Sequence, residues 1–167
     1  MRGEVTIEIR DAVGNLIEVR QARNAVMVGG AQLIGNLFSG NGAPITHMGV
    51  GTDDSPSPDD FSTAALKNEA VGDIPALTGA TDAAIPVEAF VIETDAIRHV
   101  VRVRVRGTIP LKAAIGTVRE AGLISKSGDT SVLYNRVTFA PIQKGSDHEL
   151  TMFWEVTFPY GDLQWVM

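Results

Sequence analysis

The chain contains no cysteine. Disulfides, thiolate-bound zinc and a cysteine nucleophile are therefore excluded. No apolar run approaches the roughly 18 residues that span a bilayer. The opening Met1-Arg2-Gly3-Glu4 runs straight into an alternating VTIEI, without the apolar segment of a secretory leader. The expectation is a soluble protein made in a cytoplasm, with no membrane partner. Cations are also scarce, fourteen Lys and Arg against twenty Asp and Glu, for a formal charge of -6. A broad phosphate-binding surface needs an excess of cations, so nucleic acid is not an expected partner. Aromatic residues make up only 6% of the chain, which counts against a glycan-binding face built from exposed rings.

What is present is mostly a period of two. VTIEI at 5–9 and LIEV at 16–19 flank Asp11-Ala12-Val13-Gly14-Asn15, whose Gly and Asn tolerate positive φ, so a tight hairpin is expected. From about Val26 to Phe38 the spacing changes. Met27, Ala31, Ile34, Leu37 and Phe38 recur at helical intervals until Ser39-Gly40-Asn41-Gly42 ends the run. Gly29, Gly30 and Gly35 weaken this one substantial helix and imply close packing against a sheet, or only two or three turns. Residues 53–86 are rich in Ala, Asp, Pro and Thr, with prolines at 56, 58, 75 and 86 that argue against central strands. This stretch is expected to run over the surface, pinned by Phe61, Leu66, Ile74 and Leu77. The strand period returns at 87–106 and 132–139, and most clearly where Leu150, Met152, Trp154, Val156 and Phe158 alternate with Thr151, Phe153, Glu155 and Thr157. The expected fold is mainly β, a single antiparallel β-sandwich domain of jelly-roll type over residues 1–167, with one short N-terminal helix and the surface excursion at 53–86.

The densest candidate for chemistry is THMGVGTDDSPSPDD at 46–60. Gly49-Val50-Gly51 begins as a dinucleotide-binding turn would, but Asp54 stands where the third glycine belongs. Pro56 and Pro58 occupy the start of the required helix, and aspartates would repel a pyrophosphate. Asp53, Asp54, Asp59 and Asp60 lack the glycine and glutamate positions of a calcium loop, so a structured turn is expected there and no metal. His47, His99 and His148 form no ligand motif. No nucleophile motif is found, and Ser127-Gly128-Asp129 reads as a hairpin turn. No enzyme activity and no cofactor are expected.

The order of several segments is more informative than any one of them. Asn24 precedes the helix, Ile45 to Thr52 ends in Val-Gly-Thr before the Asp- and Pro-rich residues, and Leu66 and Glu69 come next. Later come Arg119-Glu120-Ala121-Gly122-Leu123-Ile124, then Asn135-Arg136-Val137-Thr138-Phe139-Ala140-Pro141-Ile142-Gln143-Lys144, then Leu150 to Phe158. Across about residues 20 to 158 this series resembles tailed-bacteriophage virion structural proteins: tail-fibre, baseplate-associated and head-spike base proteins whose β-sandwich attaches one virion part to another. Residues 70 to 100 show no such likeness. The resemblance implies an adaptor in the virion, synthesised in the host cytoplasm. Its partners would be fibre, spike, baseplate or capsid components and further copies of itself in a homo-oligomer. The alternative is a module that binds a receptor or glycan on the host surface directly.

One strand carries a candidate contact surface. In His99-Val100-Val101-Arg102-Val103-Arg104-Val105-Arg106, alternation turns Val101, Val103 and Val105 to one face and Arg102, Arg104 and Arg106 to the other. The arginines are either a solvated face or the complement of acids on a neighbouring subunit, with Asp53, Asp54, Asp59 and Asp60 as the candidates.

Overall fold

The two-residue period is realised as antiparallel pairing in every ladder of the structure. A computed structural model describes residues 2–55 and 61–162. In chain order these form β1 (Arg2–Asp11), β2 (Leu16–Val26), α1 (Val28–Phe38), β3 (His47–Gly51), β4 (Asp82–Ala84), β5 (Phe90–Asp95), β6 (Val100–Ile109), β7 (Gly116–Ser127), β8 (Thr130–Leu133), β9 (Asn135–Lys144) and β10 (His148–Pro159). The strands join into one sheet in the order β4-β3-β7-β9-β2-β1-β10-β6-β5, with β8 added to β7. That sheet curls into a half-barrel. Among the described residues no helix is long and apolar enough to cross a membrane.

The expected hairpin is present, with β1 and β2 joined by a turn in which Gly14 takes φ 90°. Curling brings the two ends of the sheet face to face around one core. Trp154 of β10 is 1% exposed, and its indole N–H points to Met48 Sδ of β3 at 3.5 Å. Leu150, Met152 and Val156 are buried on the same side of β10, as the alternation predicts. Burying each such side chain is worth roughly 1.5 to 3 kcal/mol. The sheet is weakest where β2 meets β9, a ladder that holds only at Ala25 and Val26. Further along, the Arg20 guanidinium reaches across to the Ala140 and Pro141 carbonyls.

The helix exists, but its buried side differs from the expected one. Met27, Gly30 and Leu33 are buried and Ile34 partly so, whereas Leu37 and Phe38 are 55% and 92% exposed. Gly30 explains the rotation: a Cβ there would collide with the Tyr134 backbone, so the helix lies directly on the chain at the start of β9. The excursion after β3 contains no central strand among its described residues, only the short edge strand β4. Leu77 is buried and Leu66 packs on the small cluster of Met27, Ile124 and Leu133, while Phe61 remains half exposed.

Replacing Trp154 by alanine should lower stability by about 3 to 5 kcal/mol, because the cavity would open where the two ends of the sheet meet. Chemical denaturation checks this, with a matching loss expected in the midpoint and little change in slope.

Candidate functional site

The loop after β3 is held by a buried ion pair that was not expected from the sequence. Arg119 and Glu120 sit at a β-bulge, where the register of β7 against β9 shifts between Val118 and Glu120. Across this irregularity Arg119 alone on β7 stands opposite residues 139–141 of β9, and the facing along β7 changes. Val118 and then Ala121 and Leu123 point to the core, while Glu120 turns to the opposite face. There Glu120 Oε2 accepts from Arg136 Nε at 2.7 Å, with side chains 1% and 4% exposed. Glu120 Oε1 accepts the Lys67 amide at 2.7 Å. Arg136 Nη2 donates to the carbonyls of Asp53 and Ser55 at 2.8 and 2.6 Å.

Other residues of the same loop complete this clamp. Buried Thr52 donates its amide to the Lys67 carbonyl at 2.8 Å, and its hydroxyl bonds to the Glu69 carbonyl and amide at 2.6 and 2.9 Å. Asp53 Oδ1 accepts from the Ser55 amide and hydroxyl at 2.9 and 2.7 Å, which is the turn expected of an Asp-x-Ser sequence. Gly51 is required for a steric reason, since a Cβ would run into the Glu120 carboxylate and the Lys67 carbonyl. Val-Gly-Thr-Asp is thus the docking edge of a loop.

Charge in this clamp is held against burial. Desolvation pushes the Glu120 carboxyl above its ordinary range, and the Lys67 amide and Arg136 guanidinium only partly offset that effect. A folded value above the unfolded one makes its contribution most favourable in acid, and that contribution is lost as pH rises through the raised value. Asp53 goes the other way: despite a burial effect that raises it, the Ser55 hydrogen bonds and the charges of Lys67 and Arg136 hold it below the usual range. Its contribution is present above the unfolded value and lost as pH falls through the lowered one.

The proposed contact residues fall into two separate settings. Arg102 Nη2 lies 2.9 Å from Asp95 and its Nε 3.6 Å from Glu155, and Arg104 lies 3.2 Å from both Glu93 and Glu155. Arg102 and Arg104 are therefore neutralised by flanking β5 and β10 of the same chain. Arg106 is exposed and stands opposite Phe153. Asp53 serves the turn and faces Lys67 at 3.9 Å, and Asp54 lies 3.5 Å from Arg119. Asp59 and Asp60 lie outside the described residues. Within one chain Arg102 and Arg104 do not meet Asp53 or Asp54, and each of these four has other partners.

Isolated ionisable groups also have local roles. His47 Nδ1 bonds the Thr46 hydroxyl at 2.8 Å, His148 Nδ1 accepts the Gly145 amide at 2.9 Å, and His99 packs on the Tyr160 ring. Lys144 is 2% exposed, and its ammonium donates to the Pro110 and Ala113 carbonyls at 3.0 and 2.6 Å. Burial lowers its pKa, but the side chain is a staple across a turn and is closed to a substrate.

Concavities of about 320 to 440 Å³ with mixed polar and apolar linings lie elsewhere among the described residues, and one with an almost wholly apolar lining lies beside the helix. Between α1 and the β5-β6-β10 end of the sheet lies a groove of about 170 Å³, lined by Leu33, Ile34, Leu37, Phe90, Val103 and Phe158 among other apolar side chains. It is smaller than the ~300 Å³ at which small-molecule sites begin. Its size and lining suit one or two apolar side chains of a partner. Compared with protein-family models, curated proteins and solved structures, the chain matches none.

Arg136→Ala should cost about 3 to 5 kcal/mol by leaving the Glu120 charge buried and alone. The double replacement Glu120→Leu with Arg136→Met should be the milder change, because it removes both charges. Denaturation of the wild type, Glu120→Leu, Arg136→Met and the double variant measures the coupling, and strictly additive losses would contradict it.

Proposed function

We propose that this chain is a structural protein of a phage or phage-like particle, an adaptor that attaches a fibre, spike or baseplate component to the particle. The observation that carries the proposal is the apolar groove beside the exposed end of α1. It offers a partner side chain a hydrophobic seat but presents no converging polar groups with which to orient or convert a substrate. The order of segments from about residue 20 to 158 supports the same reading, because Glu120, Arg136 and the Val-Gly-Thr end of β3, which recur in that resemblance, meet in a single clamp. We read the facing halves of the curled sheet as the two layers of a jelly-roll-like sandwich, with Met48 and Trp154 in contact between them. In this reading the protein is not an enzyme and uses no cofactor. It resides in the virion, and it contacts other virion proteins and further copies of itself.

A receptor- or glycan-binding role is the second reading. Exposed Phe153, with Arg106 opposite it on the outer face, is the feature that favours it. Particles assembled with and without the chain separate the two. An adaptor should be detected in purified wild-type particles by mass spectrometry, and its absence should remove a specific fibre, spike or baseplate protein as well. Leu37→Glu, at a half-exposed position on the groove, should fold normally yet fail to be incorporated. Particles that lack the chain, keep every other component and lose only adsorption would instead establish the receptor role. If the chain is absent from particles, both readings fail.

A further inference from the structure

Of the two strands that end the main path of the sheet, β4 is guarded and β5 is open. At the first edge β4 is three residues long and is soon followed by Pro86, devices that discourage further pairing. At the other, β5 is six residues long, contains neither Lys nor Pro, and keeps an unbroken register with β6. Among the described residues β5 pairs only with β6, which leaves its outer row of amides and carbonyls available. Its acids do not guard it either, since Glu93 and Asp95 are drawn inward onto Arg104 and Arg102. Ile92 is 70% exposed on the concave side and Val91 46% on the outer side. An exposed, regular and apolar edge of this kind is a template for another strand.

We propose that β5 pairs with β5 of a second copy, antiparallel, about a two-fold axis through Ile92. The sequence of the strand selects both the partner and the register. An axis at Ile92 sets Ile92 against the partner's Ile92, Phe90 against the partner's Thr94, and Val91 against the partner's Glu93. Apolar residues then meet on the concave side, and no like charges are opposed. An axis one residue later opposes Glu93 to the partner's Glu93, and an axis at Thr94 opposes Glu93 to the partner's Asp95, both destabilising arrangements. An axis at Val91 leaves only Phe90 to Ile92 paired, because the helical turn Val87–Ala89 precedes the strand. The Ile92 register also directs the turn that carries Ile97, 95% exposed, toward the partner's Val87, whose counterpart here is 85% exposed. Two of the most exposed apolar side chains of this end would thereby be covered. Phe90 lines the apolar groove, so the paired edge would extend the groove floor from one copy to the next.

The contact does not rest on the attachment role, and its test uses the purified chain alone. Native mass spectrometry should find a dimer or a larger assembly with an even number of copies. Ile92→Lys should halve that mass without changing the circular dichroism spectrum, since the side chain is exposed and its loss leaves no cavity. Because the chain has no cysteine, Ile92→Cys would place a single thiol beside its own copy at the axis. Mild oxidation should then yield a covalent dimer faster than for Val91→Cys, whose thiol would face the partner's Glu93. A monomeric wild type, an odd-numbered ring, an unchanged mass for Ile92→Lys, or equal cross-linking of the two cysteine variants would each overturn the proposal.

Discussion

Glu120 and Arg136 place opposite charges 2.7 Å apart where water scarcely reaches, and the loop after β3 is held to the sheet through them. A buried pair of this kind is poor at adding net stability, because desolvation consumes most of the attraction. Its value is positional. The carboxylate has one oxygen for the guanidinium and one for the Lys67 amide, and the guanidinium has a second nitrogen for the Asp53 and Ser55 carbonyls. Both banks of the loop are thereby tied to the sheet. Gly51 must lack a side chain, and the irregularity at Arg119 must change the facing along β7, for the carboxylate to reach this place.

The same logic separates the two faces of the sheet. On the concave side, large apolar residues from both ends meet, and the sheet leaves a groove where α1 does not cover it. On the convex side, Arg102 and Arg104 of β6 are met by Glu93, Asp95 and Glu155 of the same chain. Exposed ion pairs add little stability. Their consequence here is to draw the acids of β5 away from the sheet edge, so a surface network leaves a main-chain edge open.

The parts of this fold that could be read from the sequence are those governed by local periodicity. Leu150 to Phe158 alternate because one side of β10 faces the core along its length, and the hairpin at Asp11 to Asn15 arises from turn residues next to one another. The helix was legible as an element but not in its facing, because Gly30, with no side chain to count, makes the closest contact and leaves Leu37 and Phe38 outside. The Glu120 and Arg136 clamp was not legible. Its partners are far apart along the chain, and a charged residue in a strand reads as solvent-facing unless a bulge is known. The available signal was the adjacent Arg119 and Glu120 inside an otherwise apolar strand, which can be explained only if the loop covers that face. The arginine row was legible as a row, but its partners depended on which strands became its neighbours.

Amide hydrogen exchange at Lys67 tests the central claim most directly, because that N–H donates to Glu120 rather than to another strand. In the wild type this amide and that of Thr52 should exchange slowly for residues of a surface loop, and in Arg136→Met both should lose protection while the amides of β10 keep theirs. Rapid exchange at Lys67 in the wild type, or protection unchanged in Arg136→Met, would contradict the account.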